Sequence, residues 1–196
     1  MRQVAEIVRE SIAVKQALLA DEKLLATVAT VARVASNAYA EKKKLLFCGN
    51  GGSASDAQHI SAELSGRFYF DRPPLNAEAL HCNTSYLTAV ANDYSYDEIF
   101  ARSVRGQGNP GDLLIGLTTS GNSPNVVKAV EAANELGMIT VGMTGEGGGK
   151  LRTLCTHLIN VPSKDTARIQ ESHILIGHIL CELIEETVFG SVRKPK

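Results

Sequence analysis

The sequence predicts an α/β fold, a three-layer sandwich in which a five-stranded parallel sheet lies between layers of helices. Three observations carry that prediction. Five short apolar runs, 44–48, 78–83, 112–117, 138–143 and 157–161, have strand length and are mostly separated by helix-length segments, the alternation that builds parallel sheets. Hydrophobic residues make up 44% of the chain and aromatics only 5%, with no Trp, so the core must be built from Ala, Val, Ile and Leu, as in sheets buried on both faces. At 196 residues the chain suits one domain, 1–196, with a substantial core, and is too short for two comfortable ones.

Residues 3–40 precede the sheet. Val4, Ile7, Val8 and Ile12, then Leu24, Leu25, Val28, Val31 and Val34, recur at helical spacing and predict two amphipathic helices broken near Asp21. This N-terminal part, 1–41, is expected to serve packing or oligomer assembly. The last segment, "ARIQESHILIGHILCELIEETVFG", predicts a long helix with a nearly continuous aliphatic face, its end marked by Gly190 and Pro195.

The net charge of −1, with acids and bases interspersed, gives no electrostatic footprint for nucleic acid or an anionic membrane, which leaves a small molecule or a protein as the expected partner. No apolar run approaches the length needed to span a bilayer, and "MRQVAEIVRE" lacks the apolar stretch of a signal peptide, so the expected compartment is the cytoplasm. Cys48, Cys82, Cys155 and Cys181 are widely separated in apolar contexts and are expected to be buried, reduced thiols.

Two strand–loop–helix junctions share a chemistry. In "LLFCGNGGSASDAQH" the strand delivers the chain to Gly49, Asn50, Gly51, Gly52 and Ser53, and a helix follows. Glycines let backbone N–H groups approach a ligand, and the helix start adds unpaired donors and a partial positive charge, an arrangement that suits an anion. In "DLLIGLTTSGNSPNVVKAV" the hydroxyls of Thr118, Thr119, Ser120 and Ser123 fall within six residues, more than one helix cap requires. Either loop alone reads equally as an ordinary helix start. Neither matches a dinucleotide fingerprint or a P-loop with its Lys. Two such loops at the C-terminal edge of one sheet, where open α/β proteins bind ligands, suggest a sugar phosphate held by hydroxyls and amides. His59 and Glu63, four apart on the first of these helices, share a face and can serve one ligand or metal, or form a plain surface pair.

The segments "CGNGGSASDAQHISAEL", "AVANDYSYDEIF", "GDLLIGLTTSGNSPNVVKA", "MTGEGGG" and "ARIQESHILIGH" together resemble the sugar isomerase (SIS) domain family and, within it, the phosphoheptose isomerases. The likeness runs through nearly the whole chain. Its narrowest part is H-x-x-x-E combined with R-I-Q-E and a histidine eight residues past the Gln. The resemblance implies a doubly wound SIS-type fold and interconversion of sedoheptulose 7-phosphate and D-glycero-D-manno-heptose 7-phosphate through an enediol, the entry to ADP- or GDP-heptose and so to lipopolysaccharide. It implies acid/base roles for Glu63 and His178, and substrate contacts at Asn50, Gly51, Gly52, Ser53, Glu63, Asn92, Asp93, Thr118, Thr119, Ser120, Ser123 and Gln170. It also implies a divalent metal, commonly zinc, among His59, Glu63, Gln170 and His178, with no nucleotide cofactor. Thr118 stands where relatives often carry Ser, a swap that keeps the hydroxyl.

Gln170 and His178 are eight residues apart, about 12 Å of rise and an offset near 80° on an ideal helix. Either the helix starts after Gln170, or the two serve different active sites. With the long aliphatic face of 174–189, the second alternative and the resemblance imply a homotetramer whose sites combine Glu63 of one subunit with His178 of another. The rival readings are a non-catalytic SIS protein, either a phosphosugar sensor or a tetramer binding the replication initiator, an isomerase of another sugar phosphate, and hydrolysis of the N-acetylmuramic acid 6-phosphate ether. Among the other histidines, His81 and His157 are expected in the core or at its edge, and His173 beside the site or at an interface.

Overall fold

In the computed structural model, which describes residues 3–190, the five predicted strands form one all-parallel sheet in the order β2-β1-β3-β4-β5. The strands are β1 (Leu45–Gly49), β2 (Ala77–Ala79), β3 (Leu113–Leu117), β4 (Ile139–Gly145) and β5 (His157–Val161). The helices are α1 (Val4–Ala20), α2 (Glu22–Ala40), α3 (Gly52–Ser65), α4 (Thr84–Asp93), α5 (Ile99–Gln107), α6 (Pro124–Glu135), α7 (Leu151–Leu154) and α8 (Thr166–Phe189), with a 3₁₀ turn at Tyr96–Glu98. Every residue of β1 and β3 is buried, which is why both read as unbroken apolar runs.

One face of the sheet is covered by α2, α3 and α8 around Phe47, Ile115, Val141 and Ile159, and the other by α5 and α6 around Leu46, Leu114, Phe100 and Val130. The break near Asp21 is real: its backbone ends α1, and its carboxylate accepts the Leu24 N–H at 2.9 Å to cap α2. Gly190 ends α8 with φ of 86°, a value open to glycine; Pro195 lies outside the described residues. Strand β2 is shorter than the predicted 78–83. It is an edge strand paired only with β1, and the chain turns away at Leu80 before Asn83 caps α4.

Of the cysteines, Cys48 and Cys181 are buried, Cys155 is half-buried and Cys82 is exposed, all as free thiols. Cys82 therefore corrects the expectation of burial. It follows the short edge strand, where the apolar run leaves the sheet. Among the described residues no helix is long and apolar enough to cross a membrane.

The strand order reverses direction between β1 and β3, so the loops that follow them open side by side at the C-terminal edge. The opposite edge is locked by Asp112, only 2% exposed. Its carboxylate accepts from Lys44 Nζ at 2.7 Å and from the backbone N–H groups of Lys44 and Asn109 at 3.0 and 2.8 Å, tying the start of β1 to the start of β3. Burial opposes the charge, but these donors outweigh it and hold the carboxyl below its usual range. A depressed pKa means stability that is present above the unfolded value and lost as the pH falls through the folded one. Asp112→Asn should cost about 1.5–3 kcal/mol at pH 7 by urea unfolding. The gap to wild type should narrow as the pH drops below about 4; a constant gap from pH 7 to 3 would show that the charge is not its source.

Candidate active site

The first loop needs its glycines for different reasons. A Cβ on Gly49 would lie 2.6 Å from the Ser53 carbonyl oxygen, and Gly51, with φ of 54°, turns the chain into α3. In the second loop the buried Thr118 hydroxyl pairs with Ser123 Oγ at 2.8 Å, and Ser120 Oγ accepts the Asn122 N–H at 3.1 Å. Gly121, at φ of 69°, packs directly on Gly148 and Gly149 of "MTGEGGG", so that segment buttresses the loop. Between the two loops lies a cavity of about 350 Å³ lined by Asn50, Gly51, Gly52, Ser53, Leu117, Thr118, Thr119, Ser123, Thr166 and Gln170. All but Leu117 and Thr166 were expected from the sequence, while Ser120 stands just outside.

The loops are stitched to each other. Asn50 and the buried Asn125 exchange amide hydrogen bonds at 2.9 and 2.8 Å, and the Tyr96 hydroxyl donates to Asn50 Oδ1 at 3.0 Å. The Asn50 side chain is thereby largely occupied, leaving its backbone and neighbouring N–H groups as the donors toward a ligand. Asn125, in the first turn of α6, and Tyr96, opening the 3₁₀ turn, escaped the sequence reading because a lone Asn or Tyr carries no pattern. Asn92 and Asp93, at the end of α4, bond to each other at 2.9 Å and do not line the cavity.

A second cluster lies further along α3 and α8. His59 Nε2 is 3.1 Å from Glu63 Oε1 and 3.3 Å from His178 Nε2, and the three donor atoms lie within 4.8 Å of one another. Phe68 covers His178, with ring centroids 5.6 Å apart. Two imidazole nitrogens facing at that distance need a shared proton or a cation between them. A tetrahedral zinc with ligands at about 2.0–2.1 Å spaces its donors about 3.3 Å apart, and structural chemistry knows this His₂Glu set as one that leaves a fourth position open. The residues fit such an ion.

Within this chain Gln170 lies at the loop cavity. It lies within α8, which begins at Thr166, so the alternative of a helix starting after it is excluded. Its amide rests on Gly52, 2.6 Å from where a Cβ would stand, at the loop cavity. The expectation that Glu63 meets His178 from another subunit is corrected: they meet within one chain. The cause is Gly177, where a Cβ would fall 2.4 Å from Ile60 Cδ1, so that α8 presses its backbone against α3.

Other histidines have bland roles. Burial pushes the His173 imidazole down to about 4, so it is neutral, and its Nε2 lies 3.2 Å from the Thr144 carbonyl in the core rather than at an interface. His81 and His157 are half-buried beside strands, as expected. Asp56, one turn before His59, has a buried, unpartnered Oδ2, and burial raises its pKa while His59 opposes the rise.

Fold and loops together define a SIS-domain protein, and the SIS domain family matches residues 8–145. A phosphoheptose isomerase of Aneurinibacillus thermoaerophilus is 54% identical over 182 residues, covering 93% of this chain and 92% of that protein. The solved phosphoheptose isomerase of Neisseria gonorrhoeae is 43% identical, with a TM-score of 0.88 over 93% of this chain and 97% of that one. That of Francisella tularensis is 38% identical, with a TM-score of 0.89 over 93% and 96%. The chain belongs to the phosphoheptose isomerases of the SIS family.

Gly52→Ala tests the cavity. The new methyl must displace the Gln170 amide, a flexible end, so stability should hold while affinity for inorganic phosphate, measured by calorimetry, falls about tenfold for the loss of one bond to a charged group. Unchanged affinity would remove Gln170 from the anion site.

Proposed function

We propose that this protein interconverts sedoheptulose 7-phosphate and D-glycero-D-manno-heptose 7-phosphate, supplying heptose for nucleotide activation. The observation that carries the reading is that the chain holds both an anion cavity between its two loops and a carboxylate–imidazole cluster on α3 and α8. The phosphate sits in the cavity, taken by the hydroxyls of Thr119 and Ser123, the N–H groups opening α3, and Gln170, with the Ser120 hydroxyl reaching it from the rim.

The reaction moves one proton between C1 and C2 and another between their oxygens. Glu63 accepts the C1 proton of the ketose, giving the enediol, and returns it to C2. His178 gives a proton to O2 and takes one from O1, with His59 beside it holding the imidazole in place. Zinc held by His59, Glu63 and His178 would engage the His178 nitrogen and, in place of proton exchange there, polarise the substrate oxygens and stabilise negative charge on them. Asn92 and Asp93 are assigned to the rim, brought near by the Tyr96 bond to Asn50.

The working unit is a homotetramer in which the loop cavity and Gln170 of one subunit face the His59–Glu63–His178 cluster of another. Three features support it. Gln170 and His178 are two turns apart on α8, the His59 and Glu63 side chains are 48% and 28% exposed, and α1 leaves Val4, Ile7, Val8 and Ile12 in solvent.

Glu63→Gln should lower turnover of sedoheptulose 7-phosphate by about 10²–10⁴-fold, since the amide cannot accept the proton. A loss under tenfold would remove Glu63 as the base, and elemental analysis of the same two proteins reports whether zinc follows the carboxylate. Assembly is tested by mixing inactive variants. Glu63→Ala and Gln170→Ala, unfolded and reassembled together, should regain about a quarter of wild-type activity if sites are shared between two chains at random. Glu63→Ala with His178→Ala should regain nothing, because each chain's cluster is broken. Recovery in the second mixture but not the first would overturn this arrangement.

A further inference from the structure

The chain between α3 and β2 is held by a buried ion pair that the reaction scheme above does not use. Arg72 and Glu185 each have side chains only 1% exposed, with Nε donating to Oε1 at 2.8 Å. Glu185 also accepts the backbone N–H groups of Phe68 and Tyr69 at 3.1 and 2.8 Å. Arg72 spends most of its remaining donors on the end of α3: Nη2 on the Glu63 carbonyl at 2.9 Å, and Nη1 on the Leu64 and Gly66 carbonyls at 2.7 and 3.1 Å, with Nη1 also reaching the Pro73 carbonyl at 3.1 Å. The last carbonyls of a helix have no partners within it, and a cation there is favourable.

The positions of these groups matter more than their number. Arg72 grips the backbone of Glu63 itself, Glu185 lies seven residues beyond His178 on α8, and the Phe68 amide bound to Glu185 carries the ring that covers His178. A buried ion pair contributes little stability compared with apolar side chains of similar volume, because two charges must leave water. What it supplies instead is direction, since each bond fixes one atom against another.

We propose that the Arg72–Glu185 pair is the positioning element of the active site, clamping the end of α3 to α8 and so setting the separation of the Glu63 carboxylate from the His178 imidazole. The inference rests on the isomerase reading, in which those two groups act on one substrate. Neither Arg72 nor Glu185 touches substrate; both act through Glu63, His178 and Phe68.

The test removes both charges at once. Arg72→Met/Glu185→Met should fold with a lowered Tm, because the two charges leave together but the Phe68 and Tyr69 N–H groups and the carbonyls ending α3 lose their partners. Its KM for sedoheptulose 7-phosphate should stay within about twofold, the phosphate cavity being two turns away, while kcat falls at least about tenfold from misplacement of the cluster. A merely structural pair would also lower Tm but leave kcat of the folded enzyme intact. Wild-type kcat in the folded double variant overturns the proposal. Should that variant not fold, Arg72→Lys decides: it keeps the ion pair but cannot cap three carbonyls, so kcat should fall with KM unchanged, and an unaltered kcat overturns the proposal. NMR of the His59 and His178 imidazoles reads the cluster without substrate. Their resonances should move in the double variant, or in Arg72→Lys if the double variant does not fold, and unmoved resonances overturn the proposal. If wild type itself fails to turn over the heptulose, the isomerase reading fails separately, and these resonances still judge the clamp.

Discussion

Close contact between α3 and α8 is the constraint on which the site depends. At Gly177 a methyl group would lie 2.4 Å from Ile60 Cδ1, so the two helices meet backbone to side chain without a spacer. That approach brings His178 within hydrogen-bond distance of His59, and brings Gln170 down onto Gly52 at the other end of the same groove. A bulkier residue at 177 would push α8 outward and open both stations together.

The sheet supplies the complementary half of the arrangement. Its order reverses between β1 and β3, so the two hydroxyl- and glycine-rich loops emerge as neighbours, and the Asn50–Asn125 amide pair holds them at a fixed spacing. Packing of Gly121 against Gly148 adds a third segment to the same platform. The loops carry no Lys or Arg among the residues lining their cavity, which leaves dipoles and hydroxyls to hold a charge there.

The packing of α8 also separates the surroundings of its two histidines. His178 faces α3 and remains partly open, whereas His173 points into the core toward Thr144, where burial keeps it uncharged. Both lie on the same helix five residues apart. Only the direction in which each projects separates their surroundings.

Much of this was legible in the chain itself. The five apolar runs, the break at Asp21 and the glycine ending α8 follow from local rules of periodicity and backbone freedom, and they appear where those rules put them except that the second run yields only the short edge strand Ala77–Ala79. The two loops and the i, i+4 pair His59–Glu63 are likewise local patterns. What spacing could not give was the partner of each: that His178 closes on His59 within one chain while Gln170 belongs with the loops, that Asn125 and Tyr96 secure Asn50, and that Arg72 reaches Glu185 across 113 positions. Those are contacts between segments remote in sequence, decided by how closely α8 packs on α3 and by the order of the strands. No periodicity within a single element encodes that distance; it is set by the side chains that two elements place between them.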